Sequence, residues 1–452
     1  ELFGQKTAYR QRYEVKGTLP AAIMQKAGFP SPEPYVSGPV GLALVYQVNT
    51  NGSSEVTGKL DLKGARVDVA PLDWTKAAGV DGNLNLMLRL AAGGKLASAE
   101  FEARASGLAT KGQLRFGGDN SVQQVALQQL TIGRTDMSFD WKRAADGVDL
   151  TVRGRSLEWP RVRHALKVRD EMVATAPAGA AESARTNTRF NFQLDQLLVQ
   201  RGSLGSLHGT ADMRGDNIAS ADIAISGGKG SAFRVTREGN RRKLGIYAPD
   251  LGLLLSEAGW LDGFAGSFLD FQGFYDDTKP TSPLEGSLRL GPYKMKTVTP
   301  RPDIGTLNST IDGLNRAGDA TQQFNGLEAT VVKTGDKLEL RNARTSGQSI
   351  GLTAAGVLNT DSDTAHLRGV VVPAFALNNL LSNVPLLGPL LTGGKDGGVF
   401  AISYRLDGPF DDLKLNINMM SAMTPGALRE IFNSAPSDGS TPMQPPAQSP
   451  AP

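Results

Sequence analysis

Apolar and polar residues alternate with a period of two in short runs along most of this chain. Leu84, Leu86, Leu88 and Leu90 are interleaved with Asn83, Asn85, Met87 and Arg89, and Val148, Leu150 and Val152 with Asp149, Thr151 and Arg153. Val40, Leu42, Leu44, Tyr46 and Val48 follow the same rule, as do Val56, Leu60 and Leu62, Leu288 and Leu290, and Leu352 with its neighbours. Near the end, Phe400, Ile402, Tyr404 and Leu406 alternate with Ser403, Arg405 and Asp407, and Leu413, Leu415 and Ile417 repeat the pattern. Successive side chains of a strand point to opposite faces, so each run predicts a strand with one apolar and one polar face. Glycine or Asn/Asp turns separate the runs, and antiparallel neighbours follow naturally. At roughly 12 residues per strand and turn, on the order of 25 to 30 strands are expected, more than one sandwich needs.

Short helices are predicted at 20–29, 71–80 and 250–260. Each is an apolar turn or two ending in Ala-Gly and an apolar residue: Ala27-Gly28-Phe29, Ala78-Gly79-Val80 and Ala258-Gly259-Trp260. The glycine suits a helix C-cap, where a left-handed residue is wanted. The recurrence reads as a degenerate repeat in which a helix caps one stretch of sheet before the next. Residues 171–188 are small and polar and read as a linker or long loop. The Pro/Ser-rich tail at 434–452 lacks the composition of an ordered segment. The expected organisation is a β segment at 1–170, the linker, a second β region at 189–433, and the tail.

Composition narrows the function. The 53 glycines among 452 residues favour turns and strands, and the absence of cysteine excludes disulfides, thiolate metal sites and cysteine nucleophiles. The charges, 48 basic and 45 acidic, are spread evenly and argue against a nucleic-acid partner. The densest basic stretch, Arg237, Arg241, Arg242 and Lys243, reads as a solvated hairpin. No run of about 20 apolar residues is present, so no helical membrane span is expected. With neither span nor leader visible, the chain is expected to be a piece whose membrane anchor lies upstream.

Catalytic signatures do not assemble. His164, His208 and His366 lie in separate segments without metal-ligand spacing. Gly347-Gln348-Ser349-Ile350-Gly351 fits G-x-S-x-G, but strand periodicity continues through Ile350, Leu352 and Ala354, whereas a nucleophile elbow needs a helix after the turn. Gly393-Gly394-Lys395 lacks phosphate-loop spacing, and the pairs Asp276-Asp277 and Asp411-Asp412 read as solvated turn acids. A non-enzymatic protein without metal or cofactor is expected.

From about Arg234 to Phe432 the chain resembles the AsmA-like (AsmA/TamB/YhdP-type) family of bacterial envelope proteins, in its C-terminal region. The resemblance is carried by the run VVVPAFALNNLLSNVPLLGPLLTGG from Val370, by GVFAISYRLDGPFDDLKLNIN at 398–418, and by the closing Met420–Phe432 stretch. The stretch 338–358 fits in rhythm, whereas 291–325 departs from the family pattern. The resemblance implies an inner-membrane anchor outside this chain, a periplasmic location, and a long curled antiparallel β-sheet with an open apolar groove and short capping helices. It also implies that phospholipid moves along the groove between inner and outer membranes.

The chain's own pattern supports such a geometry, because some 25 strands about 4.8 Å apart would make a groove of about 120 Å. An open apolar face of that size would be far larger than a monomer exposes without reason, and acyl chains suit it. The expected lipid-binding residues are Leu84, Leu86, Leu88, Leu90, Val148, Leu150, Val152, Leu288, Leu290, Leu352, Phe400, Ile402, Tyr404, Leu406, Leu413 and Leu415. Contact with the outer membrane or an envelope protein is expected at Leu386, Leu387, Leu390 and Leu391, in short helices interrupted by Pro385 and Pro389, and at Leu428, Ile431 and Phe432. The last three fall at i, i+3 and i+4 after a Thr424-Pro425 helix start. The competing expectation is a scaffold that templates outer-membrane β-proteins through free sheet edges.

Overall fold

The computed structural model describes residues 9–20, 35–174, 187–215, 217–226, 230–296, 321–347, 350–373, 402–409 and 413–418. The fold is mainly β, the described residues being 70% strand and 7% helix, with one large mixed sheet. It folds as two compact units, residues 1–236 with 257–260, and residues 237–256 with 261–452.

In the first unit the strands are β1 (Tyr9–Pro20), β2 (Val36–Ser37), β3 (Pro39–Asn49), β4 (Ser54–Asp61), β5 (Arg66–Val69), β6 (Trp74–Lys76), β7 (Gly82–Leu90), β8 (Leu96–Ala105) and β9 (Leu108–Phe116). They continue with β10 (Val122–Ile132), β11 (Thr135–Ala144), β12 (Gly147–Glu158), β13 (Thr188–Leu198), β14 (Leu207–Arg214), β15 (Asn217–Ile225) and β16 (Ser231–Glu238). Helix α1 (Trp159–Ala174) stands between β12 and β13. Almost every strand pairs with the next in sequence: β1 with β3, β3 with β4, β4 with β7, then one after another through β16. All these pairings are antiparallel except β12 with β13, which is parallel and bridged by α1. The sheet is therefore mixed, not wholly antiparallel as expected, because a crossover through a helix returns the chain in the same direction. The short strands β2, β5 and β6 form a separate three-stranded sheet.

The second unit contains β17 (Arg241–Ala248), helix α2 (Leu251–Ala258), β18 (Phe264–Gly266), β19 (Leu269–Tyr275), β20 (Leu284–Leu290), β21 (Tyr293–Lys296) and β22 (Thr321–Thr334). It ends with β23 (Lys337–Gly347), β24 (Ile350–Asn359), β25 (Thr364–Pro373), β26 (Ile402–Pro409) and β27 (Lys414–Asn418). The antiparallel ladder runs β17, β19, β20, β22, β23, β24, β25, β26, β27, with β18 and β21 forming a side branch onto β22.

Of the three expected helices, the one at 250–260 is present as α2, followed by Gly259 at φ 70° in the left-handed region. The helix expected at 71–80 is not formed. Ala70–Leu72 makes a single 3-10 turn, and Trp74–Lys76 is strand β6. The reason is Lys76, only 2% exposed, whose ammonium donates to the carbonyls of Ala65, Ala77 and Val80 at 2.7, 3.0 and 3.0 Å. Carbonyls spent on that ammonium hold the segment as strand and turn. The helix expected at 20–29 lies outside the described residues, except for Pro20 at the end of β1. In the expected linker, residues 171–174 complete α1 and Thr188 opens β13, while 175–186 lie outside the described residues.

Candidate functional site

Residues paired across adjacent strands point to the same face. Following the register through the first unit therefore traces each face from strand to strand. Leu42 pairs with Leu60 and Leu60 with Leu84; Tyr46 pairs with Val56 and Val56 with Leu88. Leu86 pairs with Phe101, Phe101 with Gly112, Gly112 with Leu127, Leu127 with Phe139, and Phe139 with Val152. Val152 pairs with Phe192 across the parallel step, Phe192 with Gly209, Gly209 with Ile223, and Ile223 with Phe233. One face is apolar from β3 to β16 without interruption.

The opposite face is polar over the same strands. Glu55, Arg89 and Glu100 line up across β4, β7 and β8, with Arg89 bonded to both acids. Farther along, Arg189 bonds Asp149 at 2.6 Å and Arg234 bonds Asp222 at 3.0 Å. These pairs are solvent-exposed, each contributing little stability, and they keep that face wet.

The second unit repeats the arrangement. Phe271 pairs with Leu288 and Leu288 with Ala329, while Val331 pairs with Leu340. Leu352 pairs with Val371, Leu367 with Leu406, and Leu406 with Leu415. His366, Arg368, Arg405 and Asp407 lie on the polar face, with His366 Nδ1 2.9 Å from Asp407.

Each apolar face is covered by protein at one end of its strands. In the first unit, Val36, Leu62 and the fully buried Ala65 pack on Val40, Leu19 and Leu60. In the second, Phe264, Tyr293 and Phe324 stack with ring centroids 5.0 and 4.9 Å apart, and Leu251 and Leu255 of α2 join Leu290, Leu327 and Leu352 around them. The Tyr293 hydroxyl lies 2.9 Å from Thr345 Oγ1, and Thr345 donates to the Gly326 carbonyl. Away from these ends Leu84, Leu86, Leu88 and Leu90 stay half-buried, whereas Val152, Val235, Phe271 and Val331 are buried.

Glycines set opposite large side chains shape the same faces. Phe101 lies over Gly112, Phe271 over Gly273 and Gly286, and the Tyr404 hydroxyl lies against Gly369. An aromatic ring laid on a cross-strand glycine covers backbone that would otherwise be bare. Gly356 goes further. At φ 151° it brings β24 so near the His366 carbonyl that a Cβ could not fit.

The sequence-derived residues fall as follows. Leu84, Leu86, Leu88 and Leu90 are all half-buried on the apolar face of the first unit, with Asn85 and Arg89 exposed on the other. Val148 and Leu150 are half-buried beside them on the same face, and Val152 is buried. Leu288 is half-buried on the face of the second unit, whereas Leu290 and Leu352 are held by the stacked aromatic cluster. Tyr404 and Leu406 are half-buried. Burial pushes the Tyr404 phenol up, and its hydroxyl donates to the Thr353 carbonyl at 2.8 Å. Leu413 and Leu415 are exposed, and Ile402 sits in β26 opposite Val371. Phe400, Leu386, Leu387, Leu390, Leu391, Leu428, Ile431 and Phe432 lie outside the described residues.

Pattern reading missed an ion pair. Arg242, expected to be solvated, is 7% exposed and donates to both Asp277 oxygens and to Ser282, with its guanidinium 4.1 Å from the Tyr275 ring centroid. Bonded by Arg242, Asp277 is no solvated turn acid, and its carboxyl is held down to about 2 from 3.8. The only signal in the sequence is an arginine in a basic run and a turn-acid pair 35 residues further on.

Among the described residues no group of His, Asp or Glu could hold a metal ion, and no helix is long and apolar enough to cross a membrane. Of the serine pattern, Gly347 ends β23 and Ile350 opens the antiparallel β24, while Gln348 and Ser349 lie outside the described residues. The arrangement offers apolar surface on one side of each sheet stretch. No family model matches the chain, and no curated protein matches its sequence.

Proposed function

We propose that this protein is a non-enzymatic lipid-binding and transfer protein of the bacterial cell envelope, whose apolar faces form a groove for phospholipid acyl chains. The observation that carries this reading is the continuous apolar face of the first unit, on which Leu84, Leu86, Leu88 and Leu90 stay half-buried. A closed sandwich core would bury them. At about 4.8 Å per strand, the ladder from β1 to β16 extends for roughly 60 Å, ample for an acyl chain. Each methylene removed from water contributes about 0.8 kcal/mol, so one long chain repays its own ordering. The periplasmic location, an anchor upstream and movement between the two membranes rest on the AsmA-like resemblance of the C-terminal half. The accessory elements at the strand ends, α2 among them, then act as caps that keep one end of each groove shut.

Mass spectrometry of solvent extracts from the purified chain tests this. Phospholipid should copurify near or above one molecule per chain, and a fluorescent acyl-chain probe should displace it. A chain that purifies lipid-free and leaves the probe in water would end the reading.

A second reading, a template for outer-membrane β-proteins, draws on β1. This strand is exposed along nearly its whole length and, among the described residues, pairs only with β3. Binding of unfolded barrel strands without copurified lipid would favour it.

A further inference from the structure

We infer that helix α1 docks the first unit on an anionic phospholipid surface. The helix is the one crossover in a ladder otherwise built of direct antiparallel steps, and one of its sides is fixed to the protein. Arg161 donates to the carbonyls of Leu72 and Asp73, and the His164 ring nitrogen Nε2 lies 3.0 Å from the Ala70 carbonyl. That attachment holds the helix by the 3-10 turn and turns another side to solvent.

The solvent side is Trp159, Arg163, Leu166 and Lys167, spaced i, i+4, i+7 and i+8, which a 3.6-residue period places on one face. Trp159 is 38% and Leu166 41% exposed, and Arg163 and Lys167 are exposed between and beside them. Of the helix's two acids, Asp170 falls on this face three residues after Lys167, and Glu171 falls beside it. Both lie near the C-terminal end and away from Trp159 and Arg163, so two cations face one acid there. A large aromatic and a leucine flanked by two cations is the composition of an interfacial helix. Trp settles at the headgroup level, and the cations meet lipid phosphate. The positive charge selects the occupant, an anionic bilayer over an apolar protein groove. The inference does not rest on acyl-chain binding, since this surface lies outside the apolar face.

Vesicle sedimentation with the full chain tests it, using neutral phosphatidylcholine and mixtures with phosphatidylglycerol. Binding to the anionic vesicles should be at least tenfold tighter and should weaken by a similar factor between about 50 mM and about 300 mM salt, as charge screening requires. Each cation near an anionic surface contributes a factor of roughly five, so Arg163→Gln with Lys167→Gln should loosen binding by about 25-fold. Far-UV circular dichroism and acyl-probe binding should stay unchanged in that variant. Trp159 emission should shift to the blue on vesicles, and Trp159→Phe should remove the shift. Equal affinity for neutral and anionic vesicles, salt-independent binding, or a folded double variant that binds like the wild type would overturn the assignment. Lost vesicle binding with retained acyl-probe binding separates this surface from the apolar face.

Discussion

Phe101 in β8 lies over Gly112 in β9, so that a Cβ on the glycine would stand 2.9 Å from Phe101 Cζ, 2.8 Å from Leu127 Cδ2 and 2.9 Å from the Ala126 carbonyl oxygen. Two of those neighbours are side-chain atoms, but the third is backbone of the paired strand and cannot turn aside. The glycine thereby seats an aromatic ring flat on the apolar face, where a side chain would lift it. Gly112→Val should cost about 1–3 kcal/mol through overpacking. In a unit of this size, that lowers the melting temperature by roughly 2–4 °C per kcal/mol. Gly245 in β17, with nothing within 4 Å of a notional Cβ, is the control. Gly245→Ala should be neutral or raise stability by a few tenths of a kcal/mol. Thermal denaturation of the two variants checks both.

Leu86 and Leu88 stand half-buried on the apolar face, and Asn85 and Arg89 stand exposed behind them. Replacing both leucines by Asp should weaken acyl-probe binding by more than tenfold, because each carboxylate would have to be desolvated or protonated beneath the chain. Asn85→Ala and Arg89→Ala should leave probe binding within a factor of two. An equal effect from both pairs would mean that the face is a structural core rather than a binding surface.

Asp277 gives the second unit an acid-sensitive joint. The Arg242 hydrogen bonds hold its carboxyl at about 2 in the folded chain, against an ordinary 3.8. A depressed folded pKa contributes stability that is present above the unfolded value, near 3.8, and lost as pH falls towards about 2. Screened by partial exposure, the pair is expected to contribute about 1–2 kcal/mol. Urea midpoints at about pH 6 and about pH 2.5 should therefore differ less in Asp277→Asn than in the wild type. The variant should also be the less stable of the two at the higher pH.

The strands were legible where alternation was unbroken. Leu84 to Leu90 is enough to define β7, because a one-residue slip would turn every leucine to the wet side. The helix α2 was legible from its apolar run and the Ala258-Gly259 stop. The segment at 71–80 carried the same stop yet makes β6, because Lys76 finds Ala65 eleven residues back and is sealed against it. Helix α1 escaped notice because its charges lie on both sides, so no clean apolar stripe marks it. The engagement of Arg242 depends on Asp277, 35 residues away. The clusters around Ala65 and Phe324 depend on accessory segments folding back over the ladder, and alternation says nothing of either.

The parallel step between β12 and β13 has a consequence for how the first unit assembles. Elsewhere along its ladder each strand meets the neighbour that leaves or enters it through a turn or short excursion, so structure can grow by small, local closures. At this step Asp149 meets Arg189 across 40 residues of chain, and Leu150 must find Phe190 in the phase that keeps both on the apolar side. Zipping can start independently before and after the crossover, but joining the two stretches waits for the longer closure. The rate-limiting event in refolding of this unit should accordingly lie at the β12–β13 seam, and its two flanking stretches should behave as separate nuclei until that seam forms.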